Sequence, residues 1–171
     1  AARRLGRKLR AELGAVLVGR ATVEADHPQL TARTRGARRE PTRIALDPQG
    51  KLDLSDYDGP PWIQICGEGD SRGDLRAPLV DGQLNLEHVL RGLFEREVTA
   101  LLVEGGGTTI ARFLEADLVD ELHLFVAPKV LGAGRTWTEG FAIESLECAP
   151  NFSIAATRLI GEDLYIRLER A

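Results

Sequence analysis

Residues 100–114, A-L-L-V-E-G-G-G-T-T-I-A-R-F-L, bring a carboxylate, consecutive glycines and two hydroxyls to the end of a short apolar run. Leu101, Leu102 and Val103 read as a buried strand, and Ile110, Phe113 and Leu114 fall on one face of a helix. Between them, Glu104, Gly105, Gly106 and Gly107 must turn the chain tightly. Glycine allows positive φ and puts no side chain between the backbone amides and an incoming group. Thr108 or Thr109 can cap the helix, whose first-turn N–H groups and positive dipole end suit an anion. A phosphate or pyrophosphate is the guest such a turn would take. The same residues also suit a strand-to-helix turn with no ligand, and the segment alone does not choose.

Basic residues are the second chemical signal. Arg3, Arg4, Arg7, Lys8 and Arg10 crowd the start, and Arg33, Arg35, Arg38, Arg39 and Arg43 crowd a later loop. In a chain of net charge −4 they suggest a local anionic ligand, while the overall balance argues against general nucleic-acid binding. Most of them, Arg38 and Arg39 included, read as solvated charges. His27, His88 and His123 are scattered, which argues against a histidine metal site. Cys66 and Cys148 have neither metal-ligand nor disulfide spacing, which fits a reduced, cytoplasmic setting. No apolar run approaches the roughly 20 residues of a membrane span, and no signal peptide is visible in a chain that starts A-A-R-R.

The elements that must position these groups follow from periodicity. Residues 1–13 carry Leu5, Leu9 and Leu13 at helical spacing, closed by Gly14. Residues 15–19, 41–47 and 62–66 read as apolar strands, and residues 20–28 as a short helical turn stopped by Pro28. A polar, Gly-rich stretch at 67–84 holds a short strand near Leu79. Asn85 then caps a helix over 86–97 with the stripe Leu86, Val89, Leu90, Leu93, Phe94. The strand 100–104 and helix 108–116 follow. From Val119 the period changes to two, with a loop at 128–135, extended segments at 141–148, 152–159 and 164–168, and a hairpin turn at 161–163. The chain of 171 residues therefore reads as one α/β domain, in three layers, with a mostly parallel sheet and an antiparallel hairpin at one edge.

Four segments then match a family in order: A-T-V-E-A-D-H-P-Q-L-T-A-R (21–33), R-I-A-L-D (43–47), V-E-G-G-G-T-T-I (103–110) and V-D-E-L-H-L-F-V-A-P-K-V-L-G (119–132). The chain resembles the reductase domain of the bifunctional riboflavin-biosynthesis deaminase/reductase, which has a dihydrofolate-reductase-like fold. The resemblance implies reduction, with NADPH, of the ribosyl chain of 5-amino-6-(5-phosphoribosylamino)uracil to a ribityl chain, in a homodimer. It puts Thr22 and Asp26 at the cofactor–substrate junction, and Pro48 on the adenosine side of the cofactor. Gly105, Gly106, Gly107, Thr108, Thr109, Ile110, Ala111 and Arg112 would hold the pyrophosphate. Arg10, Leu30, Arg33 and Glu104 would line the substrate pocket, with Asp26 and Glu104 as the catalytic carboxylates. Trp62 and Trp137 read as packing or interface residues.

The family begins with a strand bearing an S-x-D-G-type turn and a Ser-x-Trp-like segment, which nothing before Ala1 supplies. The expectation is an N-terminally truncated domain over 1–171, a fragment of a fusion or a chain that has lost that strand. Two alternatives remain, a related reductase of another substrate and an inactive cofactor-binding or oligomerisation module. No His-x-Glu with Pro-Cys-x-x-Cys is present, so this chain is not expected to deaminate.

Overall fold

Alternation decides the core. The computed structural model describes residues 2–33, 40–70 and 72–171, so Arg35, Arg38 and Arg39 lie outside the described residues. Along the chain come α1 (Ala2–Leu13), β1 (Ala15–Gly19), α2 (Arg20–Asp26), β2 (Thr42–Leu46), β3 (Trp62–Gly67) and β4 (Leu75–Ala77). Then follow β5 (Leu79–Val80), β6 (Gln83–Leu84), α3 (Leu86–Phe94), β7 (Leu102–Val103) and α4 (Gly107–Glu115), and last β8 (Glu121–Val126), β9 (Phe152–Ile160) and β10 (Asp163–Arg170). Ala15, Leu17, Ile44 and Leu46 point to one face of the sheet, where they meet Val89 and Leu93 of α3 and Phe113 of α4. Val16, Val18 and Ala45 point to the other face, against Val23 of α2, Leu30 and Trp62. Helices on both faces explain why β1 is apolar at every position: both sets of side chains are buried.

Five strands form one parallel sheet in the order β4-β3-β2-β1-β7. The antiparallel hairpin expected in the last third is present as β9 and β10, but not at the edge of this sheet. Instead of extending an edge of this sheet, β8, β10 and β9 make a separate antiparallel sheet with β10 in the middle. A cavity of about 1340 Å³ runs between β7 and β8, lined by Leu101–Glu104 on one side and Asp120–Phe125 on the other, with Leu9 and Leu13 of α1 at its wall. Hydrogen-bonded strands sit only about 4.8 Å apart, so neither strand reaches the other across it.

Other boundaries also move. Residues 141–148 hold no strand, only the turn Leu146–Cys148, and β4 appears within the stretch read as loop. Helix α3 ends at Phe94, which is 67% exposed, because its carbonyls are taken by Arg96 and Glu97 in a tight turn. Asn85 caps it as expected, its side chain accepting from the His88 amide at 2.8 Å.

Candidate active site

In a parallel sheet the carboxyl ends of all strands share one edge. Here that edge carries Gly19, Asp47, Gly67 and Glu104, and α2 and α4 begin there. Gly105 takes φ +105°, where an L side chain is strained, and a Cβ on it would stand 2.8 Å from Thr22 Oγ1. The Gly106 amide donates to that same hydroxyl at 3.1 Å, which ties the turn to α2. Gly106 itself is the N-cap of α4, at φ −55°, and no side chain caps the helix. Thr108 and Thr109 are therefore not caps; both already lie inside the first turn. The Thr109 and Ile110 amides donate to the Gly106 carbonyl at 3.0 and 3.4 Å, which leaves the Gly107 and Thr108 amides as the ones with no acceptor among the described residues. Gly105, Gly106 and Thr108 are exposed, and a Cβ on Gly106 would meet only Thr22 Oγ1, at 3.5 Å. Gly107 is covered instead, since a Cβ there would stand 2.6 Å from the Thr136 carbonyl oxygen and 2.8 Å from the Glu139 amide nitrogen.

Beside it, Glu104 forms a two-pronged ion pair with Arg10 of α1, Nε to Oε1 at 2.8 Å and Nη2 to Oε2 at 2.6 Å. Arg10 Nη1 also donates to the carbonyl of Thr31 at 3.2 Å. One guanidinium thus joins α1, the end of β7 and the 27–33 segment. That segment is strained: His27, Leu30 and Arg33 all have positive φ, at 42°, 51° and 44°. It is pinned by Leu30, 4% exposed in the core, and by the Ala32 amide donating to Glu40 at 2.7 Å. The exposed Arg33 side chain is steadied by Thr31 Oγ1 at 3.0 Å and Gln29 Oε1 at 2.6 Å.

The structure thus brings Thr22, Gly105, Gly106 and Gly107 together, and separately Arg10, Glu104 and the segment of Leu30 and Arg33. Asp26 is exposed at the end of α2, and Pro48 follows β2 on the same edge as the glycine turn. Three residues stand apart from the cradle. Ala111 is buried, Ile110 lines the cavity, and Arg112 turns away to donate to the Leu84 carbonyl at 2.5 Å. Thr31 was missed by sequence reasoning because its contribution to Arg10 is a backbone carbonyl, for which no residue type is a signal. Trp62 packs in the core and under the Arg43 guanidinium, while Trp137, 52% exposed, borders the cavity.

An open glycine turn at a helix start, on the carboxyl edge of a parallel sheet, is the arrangement by which α/β domains take nucleotides. The chain belongs to the family described as RibD C-terminal domain, which matches residues 1–166. It is 33% identical over 178 residues to the riboflavin biosynthesis protein RibD of Aquifex aeolicus, covering 98% of this chain and 49% of that protein. Among solved structures, Acinetobacter baumannii RibD superposes with a TM-score of 0.83 at 25% identity, over 99% of this chain and 50% of that one. A Thermotoga maritima diaminohydroxyphosphoribosylaminopyrimidine deaminase/5-amino-6-(5-phosphoribosylamino)uracil reductase superposes at 0.80 with 26% identity, over 96% and 47%. The chain spans about half the length of the curated relatives it matches.

Proposed function

We propose that the chain is the reductase domain that converts the ribosyl chain of 5-amino-6-(5-phosphoribosylamino)uracil to the ribityl chain, with NADPH as hydride donor. The observation that carries this is the juxtaposition of the open Gly105–Gly106 cradle, tied to Thr22, with the Arg10–Glu104 pair on one sheet edge. A reduced nicotinamide supplies the hydride that a sugar carbon accepts. The residues present fit such a cofactor, since the Gly107 and Thr108 amides at the start of α4 have no acceptor among the described residues and the exposed Gly106 beside them carries no side chain. Glu104, oriented by Arg10, presents a carboxylate to substrate N–H or O–H groups. Asp26 sits at the junction of the two ligands, and Leu30 shapes the substrate side through the backbone it anchors. Arg33 grips the phosphate, a task suited to a guanidinium because two parallel N–H groups match two phosphate oxygens, while Arg10 serves the substrate pocket through Glu104.

Residues 1–171 form one domain on this reading, with a cavity between β7 and β8. Both bordering strands present an unpaired edge there, among the described residues. The domain pairs with a second copy, a reading supported by Ile154 and Leu159 of β9, 71% and 74% exposed. A cytoplasmic setting is consistent with the two free cysteines and with the absence, among the described residues, of a helix able to cross a membrane.

The test is absorbance at 340 nm with the phosphoribosylamino-pyrimidine and NADPH or NADH. NADPH oxidation that persists with chelator, without ammonia release and with NADH a poorer donor, is the expected result. No oxidation, or turnover lost to chelator and regained with zinc, refutes the reading.

A further inference from the structure

Asp47 is the buried acid that the proposed chemistry does not use. It ends the matched segment R-I-A-L-D, directly after β2, and is 0% exposed. Its Oδ2 accepts two hydrogen bonds, from the Leu52 amide at 2.7 Å and from Gln64 Nε2 at 2.8 Å. Gln64 Nε2 reaches the Leu52 carbonyl as well, at 3.3 Å. Oδ1 meets no donor among the described residues. A half-satisfied buried carboxylate is costly, and an apolar residue would fill the same place more cheaply. What the carboxylate does achieve is local: it closes the loop from Asp47 to Leu52 into one shape.

The backbone completes that closure. Asp47 N donates to Ile65 O and Gly50 N to Asp47 O, both at 2.9 Å, and Gly67 N donates to Pro48 O at 3.1 Å. Gly50 has φ +59° and lies so close to the Asp70 carboxylate that a Cβ there would overlap it. The loop after β2 and the loop after β3 therefore form one interlocked shelf on the carboxyl edge of the sheet. In the strand order, β2 stands two places from β7, roughly 10 Å from the glycine turn. That is the reach of one nucleotide half extending from a pyrophosphate held at α4.

We infer that Asp47 is a positioning residue for the adenosine half of the cofactor: through Leu52 and Gln64 it sets the shelf on which that half rests. The inference rests on the cofactor reading above, in which Pro48 already lies on the adenosine side, and adds one residue to it. The dinucleotide runs from the cradle across the end of β1 to the ends of β2 and β3, away from Arg10 and Glu104.

Calorimetric titration of the wild type, Asp47→Asn and Gly50→Ala with three probes tests it: NADPH, adenosine 2′,5′-bisphosphate and reduced nicotinamide mononucleotide. Asn keeps the size of Asp but cannot accept both bonds at full charge; Gly50→Ala, at φ +59° and against the Asp70 carboxylate, shifts the shelf while leaving the Asp47 side chain in place. Both variants are expected to weaken NADPH and the adenosine fragment by about tenfold, the scale of one lost hydrogen bond to a charged group, and the mononucleotide by less than about twofold. In turnover, KM for NADPH rises by the same factor and kcat stays level. Equal weakening of all three probes makes Asp47 a general structural residue and overturns the inference. So does unchanged adenosine-fragment binding in folded Gly50→Ala. Failure of the wild type to bind NADPH overturns the cofactor reading itself, a separate outcome from either.

Discussion

Gly105 and Gly106 are neighbours in sequence, yet substitution at each should fail in a different way. At Gly105 the backbone sits at φ +105°, and an added Cβ would press on Thr22 Oγ1 at 2.8 Å and Cγ2 at 3.1 Å. Thr22 could yield only by releasing the Gly106 amide that its hydroxyl now accepts. Backbone strain of about 1–3 kcal/mol adds to about 1 kcal/mol for that bond, so Gly105→Ala should cost roughly 2–4 kcal/mol of stability. At Gly106, φ is −55° and a methyl group meets only Thr22 Oγ1 at 3.5 Å. Gly106→Ala should leave stability within about 0.5 kcal/mol, as for an unstrained surface site. Gly106→Val should nevertheless weaken NADPH by about 1–3 kcal/mol, or roughly 5- to 150-fold, because its side chain enters the approach to the helix amides. Urea unfolding with NADPH titration on each variant separates the two effects. Unchanged NADPH affinity in folded Gly106→Val would move the cofactor away from this turn. A Gly105→Ala protein as stable as wild type would show that the turn is not held against Thr22.

Arg33→Gln should raise the substrate KM about 10- to 150-fold, the worth of a charge-assisted phosphate contact, with a smaller fall in kcat and no change in NADPH affinity. Steady-state kinetics indistinguishable from wild type would make Arg33 an ordinary surface charge. Arg10→Ala and Glu104→Ala should each raise that KM about tenfold, and the double variant no further than about threefold beyond either, because the pair acts as a unit. Fully additive effects in the double-mutant cycle would refute a joint role. Burial, with the nearby charges of Asp47, Asp70 and Asp74, pushes the Cys66 thiol up to about 11. The folded state thus prefers the neutral thiol, so the stability it contributes is intact below pH 9 and lost as pH rises from 9 toward about 11. Cys66→Ala should flatten that part of the unfolding-versus-pH curve, and iodoacetamide at pH 8 should label exposed Cys148 while sparing Cys66. Labelling of both at equal rates would contradict the burial. His123 is held below the usual histidine range, chiefly by burial and against the pull of Glu121. Its contribution to stability is present above about pH 6.5 and falls as the medium acidifies, which His123→Gln should remove from a thermal-melt series.

Where an element's hydrogen bonds and buried face come from its own residues, the sequence was enough. The run 15–19 is apolar at every position because both faces of a parallel strand are covered, and it became β1 without change. Asn85 capped α3 because its acceptor lies within three residues of the amide it serves. The glycine turn after β7 was legible for the same local reason. Tertiary structure decided what depended on partners distant in the chain. Thr108 and Thr109 have the chemistry of caps, but the turn is secured by Thr22, which the fold brings from α2. Residues 141–148 have strand-like composition yet find no partner edge, and an unpaired extended run gains no ladder hydrogen bonds. The antiparallel strands β8, β9 and β10 found partners only in one another among the described residues. Arg10 and Glu104 looked like two independent ligand groups; separated by 94 residues, they neutralise each other at 2.6 Å. Periodicity records which face of an element avoids water, and it is blind to which charges the folded chain will set side by side.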